Sequence, residues 1–319
     1  MLIDVLSLVL GIGFAAVGGE LFVRGLVGVA AWARIPPGVI GATIAAFATS
    51  SPELTVALNA AAEGRPEIAL GDALGSNMVN LGVVVGLLLL AGSTKASDLS
   101  RRDGLTGLAL VLLLGVMVID GDVARTDGLV LILCFAAWLA IVVRHTARLP
   151  EAEQHGGSSQ DETVVATLGE RLHGRSVIES LIGLGLLVAA GRLLVIGAKG
   201  IGAELGLSTF VVGVVLVSFG TSLPELATGV ISKIRGHAEL GLGTVLGSNI
   251  FNVGFIVGIA AVLSPIDVDR GDVWISIFLG AAMVPVLFVH TGARLSRWRG
   301  VALLGIYVTA ITVLIGVQT

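Results

Sequence analysis

The chain has 319 residues, of which 55% are hydrophobic and 13% charged, and its mean hydropathy is +0.98. This composition excludes an ordinary soluble globular protein and indicates an integral membrane protein. The net charge of −4 and the lack of a basic stripe argue against nucleic acid as a partner. The single cysteine, Cys134, excludes both a disulfide framework and a thiolate metal site.

Ten apolar runs are long enough to cross the ~30 Å hydrocarbon core of a bilayer. The first run lacks the basic start and the small-residue cleavage site of a signal peptide, so we expect it to remain as a membrane span. A polar stretch at 147–175 separates the fifth run from the sixth and is predicted to be a linker. The predicted spans are 4–31, 37–61, 67–91, 104–119, 127–145, 177–203, 209–232, 239–263, 272–290 and 300–317.

The same apolar sequence occurs twice in the chain. GATIAAFATSSPEL at 41–54 returns as GVVLVSFGTSLPEL at 213–226, which is 172 residues later, and GDALGSNMVN at 71–80 returns at the same shift as GTVLGSNIFN at 243–252. Each half then holds five spans, and an odd number makes the second half enter the membrane from the opposite side. The sequence therefore predicts an all-α membrane protein with ten transmembrane helices in two inverted five-helix repeats. The predicted repeats are 1–146, with its motif region at 41–91, and 176–319, with its motif region at 213–263.

The positions of lysine and arginine predict the orientation of the chain. If the amino terminus lies outside, the outer loops hold only Arg65, Arg125 and Arg270, and the inner loops hold nearly all the other basic residues. Basic residues accumulate in the cytoplasmic loops of membrane proteins. We therefore expect a multi-pass protein of the inner cell membrane with both termini outside and the linker in the cytoplasm.

Each copy of the repeat places a glutamate, Glu53 or Glu225, in a stretch suited to the middle of a bilayer. An acidic side chain there is costly unless it faces a partner, a cavity or an ion. Pro52 and Pro224 precede the two glutamates, and proline breaks the helix and frees backbone carbonyls. Helix rise brings Ser76 and Asn80 to a similar depth, and Ser248 and Asn252 match them in the second copy. Two glutamates at equivalent points favour one shared cation site over two separate hydrogen bonds between helices.

The chemistry available at this depth consists of oxygen ligands alone. Carboxylates, amides, hydroxyls and opened carbonyls suit hard cations such as Ca²⁺, and Na⁺ by the same logic, and they do not suit zinc or copper. Two carboxylates balance one Ca²⁺ or two Na⁺, so the two ions can compete for one cavity. For Asn77 and Asn249 the sequence leaves open whether they contact ions or only brace the helices.

The paired motifs resemble the two α-repeats of the calcium/cation antiporter superfamily, and most closely its prokaryotic sodium/calcium exchangers. The resemblance covers nearly the whole chain, and GTSLPEL and GSNIFN in the second half are more specific than ATSSPEL and GSNMVN in the first. It implies a secondary antiporter, without enzymatic activity or a cofactor, that exchanges Ca²⁺ for Na⁺ by alternating access at a central site. The ligands that the resemblance implies are Glu53, Glu225, Thr49, Ser50, Thr221, Ser222, Ser76, Asn80, Ser248 and Asn252, with backbone carbonyls at Ala46 and Ser218.

One departure from the family pattern affects the expected charge of the site. Many relatives carry an aspartate where this chain has Asn252, so we expect two ionisable carboxylates in the cavity instead of three. Coupling to H⁺ in place of Na⁺ is an open alternative, because desolvated glutamates can bind protons. An intramembrane enzyme is disfavoured because no nucleophile and base are paired at membrane depth, and a passive channel would conduct Ca²⁺ without a counter-ion.

Overall fold

A computed structural model of the chain describes residues 2–32, 47, 49–95, 98–146, 173–234, 238–288 and 294–318. Nearly all of these residues are helical. The helices are α1 (Leu2–Trp32), α2 (Ser51–Ala62), α3 (Pro66–Leu90), α4 (Asp98–Met117), α5 (Arg125–Thr146), α6 (His173–Leu205), α7 (Thr209–Thr221), α8 (Leu223–Ile234), α9 (238–263), α10 (Arg270–Phe288) and α11 (Arg297–Gln318). Four two-residue strands join them: β1 (Thr94–Lys95), β2 (Asp122–Val123), β3 (Ile266–Asp267) and β4 (Arg294–Leu295).

The described residues contain eight helices that are long and apolar enough to cross a membrane, or nine when α7 and α8 are taken as one bent span. The chain is therefore an all-helical, multi-pass membrane protein. The predicted span at 37–61 lies partly outside the described residues, and α2 is the helical segment that the structure describes in it.

The two proline-containing motifs each mark an irregularity in a helix. Between α7 and α8 the chain bends by 42° at Ser222, two residues before Pro224, as the sequence predicts for the second copy. In the first copy, α2 begins at Ser51, directly after the turn residue Ser50, and Pro52 lies in its first turn. Both glutamates consequently occupy the first turn of a helix that follows a break.

Helices α3 and α9 form the centre of the protein. In each of them 83% of the apolar, membrane-spanning stretch is buried, whereas only 17% of the corresponding stretch is buried in α5. Each also widens into a π-helical segment just after its GSN motif, at Val79–Val85 in α3 and Asn252–Val257 in α9. Segments of this kind are frequent at functional sites, because they redirect side chains within a continuous helix.

Helices α1 and α6 pack against each other along their length and lie beside α2. A Cβ added to Gly183 would be 2.4 Å from the backbone nitrogen of Phe22, and one added to Gly191 would be 2.7 Å from the carbonyl oxygen of Thr55. Only glycine permits such short distances between backbones, which is typical of helices packed in lipid.

Each two-residue strand pairs with a strand from the other half of the chain. Strand β1 pairs antiparallel with β4, and β2 pairs antiparallel with β3. Adding 172 to the positions of β1 gives β3, and subtracting 172 from those of β4 gives β2. The registers also correspond. Thr94 lies opposite Leu295, and the residues at the equivalent positions, Ile266 and Val123, also lie opposite each other.

Candidate functional site

The described candidate ligands lie together where the first turns of α2 and α8, the end of α7 and the middles of α3 and α9 meet. Both glutamates are fully buried although they carry ionisable groups. Thr49 is half-buried, and Ala46 lies outside the described residues. The other buried candidates are Ser50, Ser76, Asn80, Ser218, Thr221, Ser222, Ser248 and Asn252.

The two glutamates differ in their hydrogen bonds. Glu225 Oε1 accepts the hydroxyl of Ser50 at 3.2 Å and that of Ser248 at 3.3 Å, so residues from both halves of the chain contact it. Its Oε2 atom and both carboxylate oxygens of Glu53 are buried without a hydrogen-bond partner among the described residues. Such buried acceptors are costly unless something electropositive lies beside them.

Two pairs of hydroxyl groups join the halves. Thr49 Oγ1 lies 3.3 Å from Ser248 Oγ, and Ser76 Oγ lies 3.3 Å from Thr221 Oγ1. Adding 172 to the position of Thr49 gives Thr221, and subtracting 172 from that of Ser248 gives Ser76. The second pair is therefore the counterpart of the first. The equivalent hydroxyls of the two copies therefore make equivalent contacts on opposite sides of the site.

Four asparagines form a second set of cross-links between α3 and α9. Asn80 Nδ2 donates to Asn249 Oδ1 at 3.0 Å, and Asn252 Nδ2 donates to Asn77 Oδ1 at 3.0 Å. Asn77 Nδ2 also donates to the carbonyl oxygen of Asn249 at 3.2 Å. The amide oxygens of Asn80 and Asn252 have no partner among the described residues. Asn77 and Asn249 thus brace the helices, and they orient the candidate ligands Asn80 and Asn252 so that their oxygens stay unpaired.

The sequence suggests that the backbone carbonyl oxygen of Ser218 is available to bind a cation, but this oxygen already accepts a hydrogen bond. It accepts the N–H of Ser222 at 3.0 Å in an ordinary helical hydrogen bond, and Thr221 Oγ1 lies 3.3 Å from it. A carbonyl oxygen has two lone pairs. A cation at this position would therefore share the oxygen with a helical bond instead of meeting a freed carbonyl.

A third buried carboxylate, Asp72 of α3, lies next to the candidate ligands, in addition to the two that the sequence predicts. Asp72 is fully buried, and its Oδ1 atom accepts the hydroxyl of Thr221 at 2.9 Å. The duplication does not predict this residue, because the residue 172 positions later is Thr244. A direct search for acidic residues within the predicted spans would have found it.

Three buried carboxylates therefore lie among neutral amide and hydroxyl oxygens in this region. No ion pair between described residues involves Glu53, Asp72 or Glu225. Unpaired buried charge is strongly unfavourable, so this arrangement is suited to binding cations. Carboxylate, amide and hydroxyl oxygens are the ligands that hard cations prefer.

These features define a class of protein before any comparison is made: a multi-pass helical membrane protein with a buried cluster of carboxylate, amide and hydroxyl oxygens. A model of the family described as "Sodium/calcium exchanger protein" matches residues 3–144 and 176–316, which is most of the chain. The chain belongs to this family. It is thus a secondary transporter, and its family supports antiport of Ca²⁺ with other cations.

Several curated relatives are similar to the chain over most of its length. The putative antiporter CaxA of Alkalimonas amylolytica is 32% identical over 270 residues, which cover 84% of this chain and 83% of that protein. The inner membrane protein YrbG of Escherichia coli is 33% identical over 74% of this chain and 72% of its own length. The sodium/calcium exchanger MaX1 of Methanosarcina acetivorans is 27% identical and aligns over 98% of both chains.

A solved structure shares the fold. The sodium-calcium exchanger NCX_Mj, soaked with 100 mM Na⁺ and 10 mM Sr²⁺, superimposes with a TM-score of 0.66 at 28% identity, covering 98% of both chains. The same exchanger soaked with 2.5 mM Na⁺ and 0.1 mM Ca²⁺ gives a TM-score of 0.65 and 97% coverage.

Proposed function

We propose that this protein exchanges Ca²⁺ for Na⁺ across the membrane by alternating access at one central site that both halves of the chain form. One observation carries the proposal: buried acceptor oxygens from both copies of the repeat meet without partners among the described residues. These atoms are both carboxylate oxygens of Glu53, Oε2 of Glu225 and the amide oxygens of Asn80 and Asn252. Ca²⁺ takes about six to eight oxygen ligands, and the neighbouring hydroxyls supply the rest.

The proposed ligands are those that the sequence suggests. Glu53 and Glu225 supply the charge that offsets one Ca²⁺ or two Na⁺, and the remaining side chains supply neutral oxygens. Thr49, Ser50, Thr221, Ser222, Ser76 and Ser248 act through hydroxyls, Asn80 and Asn252 through amide oxygens, and Ala46 and Ser218 through carbonyls.

The proposed architecture is a pair of inverted five-helix repeats, 1–146 and 176–319, joined by the linker at 147–175. Support comes from contacts that recur after the 172-residue shift: the two hydroxyl pairs, the two asparagine bonds and the two strand pairs. If the segment at 37–61 forms one span that ends in α2, the number of spans is ten. Together with the placement of basic residues, this arrangement puts both termini outside the inner membrane and the linker in the cytoplasm.

We also propose that ions reach the site by way of a cavity of about 250 Å³ beside α2. It extends along α2 from Ser51 to Ala62, and residues of α1 and α6 such as Phe22 and Leu187 line its other wall. The turn after Ala62 lies on the outer side in the proposed orientation, so this cavity would give access from outside. Movement of the α1–α6 pair across α2 would close it and open the opposite side, as alternating access requires.

Transport measurements in proteoliposomes test the proposal. Uptake of ⁴⁵Ca²⁺ is measured under an imposed Na⁺ gradient and then under a pH gradient, each with the voltage clamped by K⁺ and valinomycin. We expect uptake that depends on the Na⁺ gradient, and we expect it to be lost in the double variant Glu53→Gln/Glu225→Gln. Glu63→Gln is the matched control, because Glu63 is a partly exposed acid that follows α2 and forms an ion pair with Lys199 at 3.0 Å.

The outcomes separate the alternatives. Uptake driven by the pH gradient alone would replace Na⁺ with H⁺ as the coupling ion. Ca²⁺ flux without any counter-ion would identify a channel. Ca²⁺ exchange that persists in the double glutamine variant would show that the two glutamates do not form the site.

A further inference from the structure

Arg192 is a charged residue in the middle of a membrane span. It belongs to the α6 span Arg175–Leu205, which has 31 residues and is therefore about 46 Å long. The end of this span at Leu205 lies about 20 Å beyond Arg192. If the span extends equally beyond both faces of the ~30 Å hydrocarbon core, Arg192 lies about 12 Å inside the core. A charged side chain at this depth is costly unless it meets an acidic partner or water.

No described acid is the partner of Arg192. Its side chain is exposed, and no ion pair or side-chain hydrogen bond joins it to another described residue. Helix α1 runs antiparallel to α6, with Gly18 against Leu186. Glu20 of α1 consequently lies about 12 Å from Arg192 along the helix axis. Glu20 pairs instead with Arg24, at 2.6 Å.

The cavity of about 250 Å³ between α2 and α6 gives Arg192 access to water. Val188 lines this cavity, and Arg192 follows Val188 by one turn on the same face of α6. The preceding residue, Gly191, packs so closely against α2 that an added Cβ would be 2.7 Å from the carbonyl oxygen of Thr55, which also lines the cavity. Thr55 is two residues after Glu53 on α2. Arg192 thus lies at the rim of the proposed ion path, close to the level of the site.

We propose that Arg192 is a specificity-determining residue whose fixed positive charge repels cations on the outer path, and repels Ca²⁺ more strongly than Na⁺. The inference rests on the proposed exchange of Ca²⁺ for Na⁺ at the central site. The interaction energy of two charges is proportional to their product, so the energy for Ca²⁺ is twice that for Na⁺. Where the charge lowers the entry of Na⁺ by a given factor, it lowers the entry of Ca²⁺ by the square of that factor.

The inverted repeat confines this effect to one side of the membrane. Subtracting 172 from the position of Arg192 gives Glu20, and the ion pair with Arg24 leaves that position without net charge. The equivalent position on the inner path therefore lacks the positive charge of the outer one. A change at Arg192 should consequently alter ion entry from the outer face only.

The variant Arg192→Gln removes the charge and keeps a polar side chain, whereas Arg192→Lys keeps the charge. Arg175→Gln is the matched control, because Arg175 lies on the same helix about 26 Å away and pairs with Glu179 at 2.9 Å. Right-side-out vesicles of expressing cells present the outer face, and everted vesicles present the cytoplasmic face. For each face, ⁴⁵Ca²⁺/Ca²⁺ exchange is measured against Ca²⁺ concentration, and ⁴⁵Ca²⁺ efflux against Na⁺ concentration. Vesicles from cells that lack the protein give the background.

At low ionic strength and from the outer face, Arg192→Gln should lower the half-saturating concentration of Na⁺ by about twofold and that of Ca²⁺ by about fourfold. These are the factors for a unit charge about 10 Å from the ion in a water-like medium. Both factors should approach one in about 0.5 M choline chloride, because salt screens charges in a hydrated path. Arg192→Lys and Arg175→Gln should match the parent, as should every variant that is assayed from the cytoplasmic face.

A second variant keeps the test decisive if Arg192→Gln does not fold. In a Cys134→Ala background, Arg192→Cys is treated with a cationic or a neutral methanethiosulfonate of similar size. The cationic reagent should raise both half-saturating concentrations, and the one for Ca²⁺ more than the one for Na⁺, whereas the neutral reagent should raise neither. Equal effects of the two reagents would reject a role for the charge.

Other results overturn the inference. Equal factors for Na⁺ and Ca²⁺, or the same change in Arg192→Lys, would show that the side chain acts through packing and not through its charge. An equal response from both faces would reject a position on the outer path. Unchanged half-saturating concentrations in Arg192→Gln, with normal Na⁺-driven efflux by the parent, reject the inference but leave the proposed function intact. Absence of Na⁺-driven efflux in the parent rejects the proposed function, and this inference with it.

Discussion

The close contact between α3 and α7 makes Gly71 a sensitive position. A Cβ added there would lie 2.2 Å from the carbonyl oxygen of Phe210 and 3.2 Å from the backbone nitrogen of Val214. A carbon and a carbonyl oxygen normally approach no closer than about 3.3 Å. Since both neighbouring atoms are backbone atoms, no side-chain rotation can relieve the overlap. Gly71→Ala should therefore push the two helices apart by about 1 Å, or force an equivalent distortion.

This displacement should affect both stability and transport. Overpacking of this kind costs about 1–3 kcal/mol, so the thermal unfolding midpoint in detergent should fall by several degrees. Asp72 directly follows Gly71, and Thr221 follows the α7 segment that would be displaced, so the 2.9 Å bond between them should lengthen. We expect Ca²⁺ uptake per folded protein to fall by about tenfold or more, because a shift of 1 Å is enough to misplace a binding group.

The matched control is Gly305→Ala on α11. A Cβ at Gly305 would meet nothing within 4 Å, so alanine there should leave transport unchanged and stabilise the helix slightly. The two variants carry the same chemical change and differ only in the space around it. If Gly71→Ala had the melting point and the transport rate of Gly305→Ala, the close approach of α3 and α7 would be refuted.

Two further predictions concern charge and topology. Replacing either Glu53 or Glu225 with glutamine should abolish Ca²⁺ exchange, because each supplies half the charge that offsets a divalent ion. Size-exclusion chromatography should show that both variants remain folded. Near-normal exchange in either variant would contradict the prediction. In a Cys134→Ala background, a cysteine at Gly156 should react with a membrane-impermeant maleimide only from the cytoplasm, and one at Asp122 only from outside. Labelling of both from the same side would rule out the inverted repeat.

Much of the fold is predictable from the sequence because the two halves share recognisable motifs at a constant spacing. The sequence predicts that both GSN motifs lie in membrane spans, and α3 and α9 are the most buried of the eight continuous spans among the described residues. The break before Pro224 was also predictable, because proline lacks the N–H that a continuous helix needs. The family was identified from the same motifs, and the match to residues 3–144 and 176–316 confirms it.

Other features could not be read from the sequence, for physical reasons. The two-residue strands are too short to produce a pattern of alternating residues, so β1 to β4 carry no local signal. The π-helical segments depend on how α3 and α9 pack, and runs such as Val79–Val85 read as ordinary apolar helix. Asp72 has no acidic counterpart in the second half, because the residue 172 positions later is Thr244, so the duplication does not point to it.

The asparagine cross-links allow a final prediction that tests the correspondence between the halves. Asn249→Ala removes the acceptor of Asn80 Nδ2, and Asn77→Ala removes the acceptor of Asn252 Nδ2 together with the donor to the Asn249 carbonyl. Leaving a buried donor without a partner costs about 1–3 kcal/mol. Both variants should therefore melt at lower temperature than the parent, and Asn77→Ala should be the more destabilised because it loses one bond more.

Both variants should also bind Ca²⁺ more weakly, since the freed amides of Asn80 and Asn252 can rotate their oxygens away from the site. The control is Thr309→Ala, because Thr309 is exposed and its hydroxyl bonds only to its own helix, 2.8 Å from the carbonyl oxygen of Gly305. Ca²⁺ affinity is measured by isothermal calorimetry in detergent, and stability by thermal unfolding of the same samples. Parent-like affinity in both asparagine variants would mean that these bonds do not orient the ligands. A loss confined to Asn249→Ala would contradict the correspondence between the two halves, because the equivalent bond is removed in Asn77→Ala and should matter for the same reason.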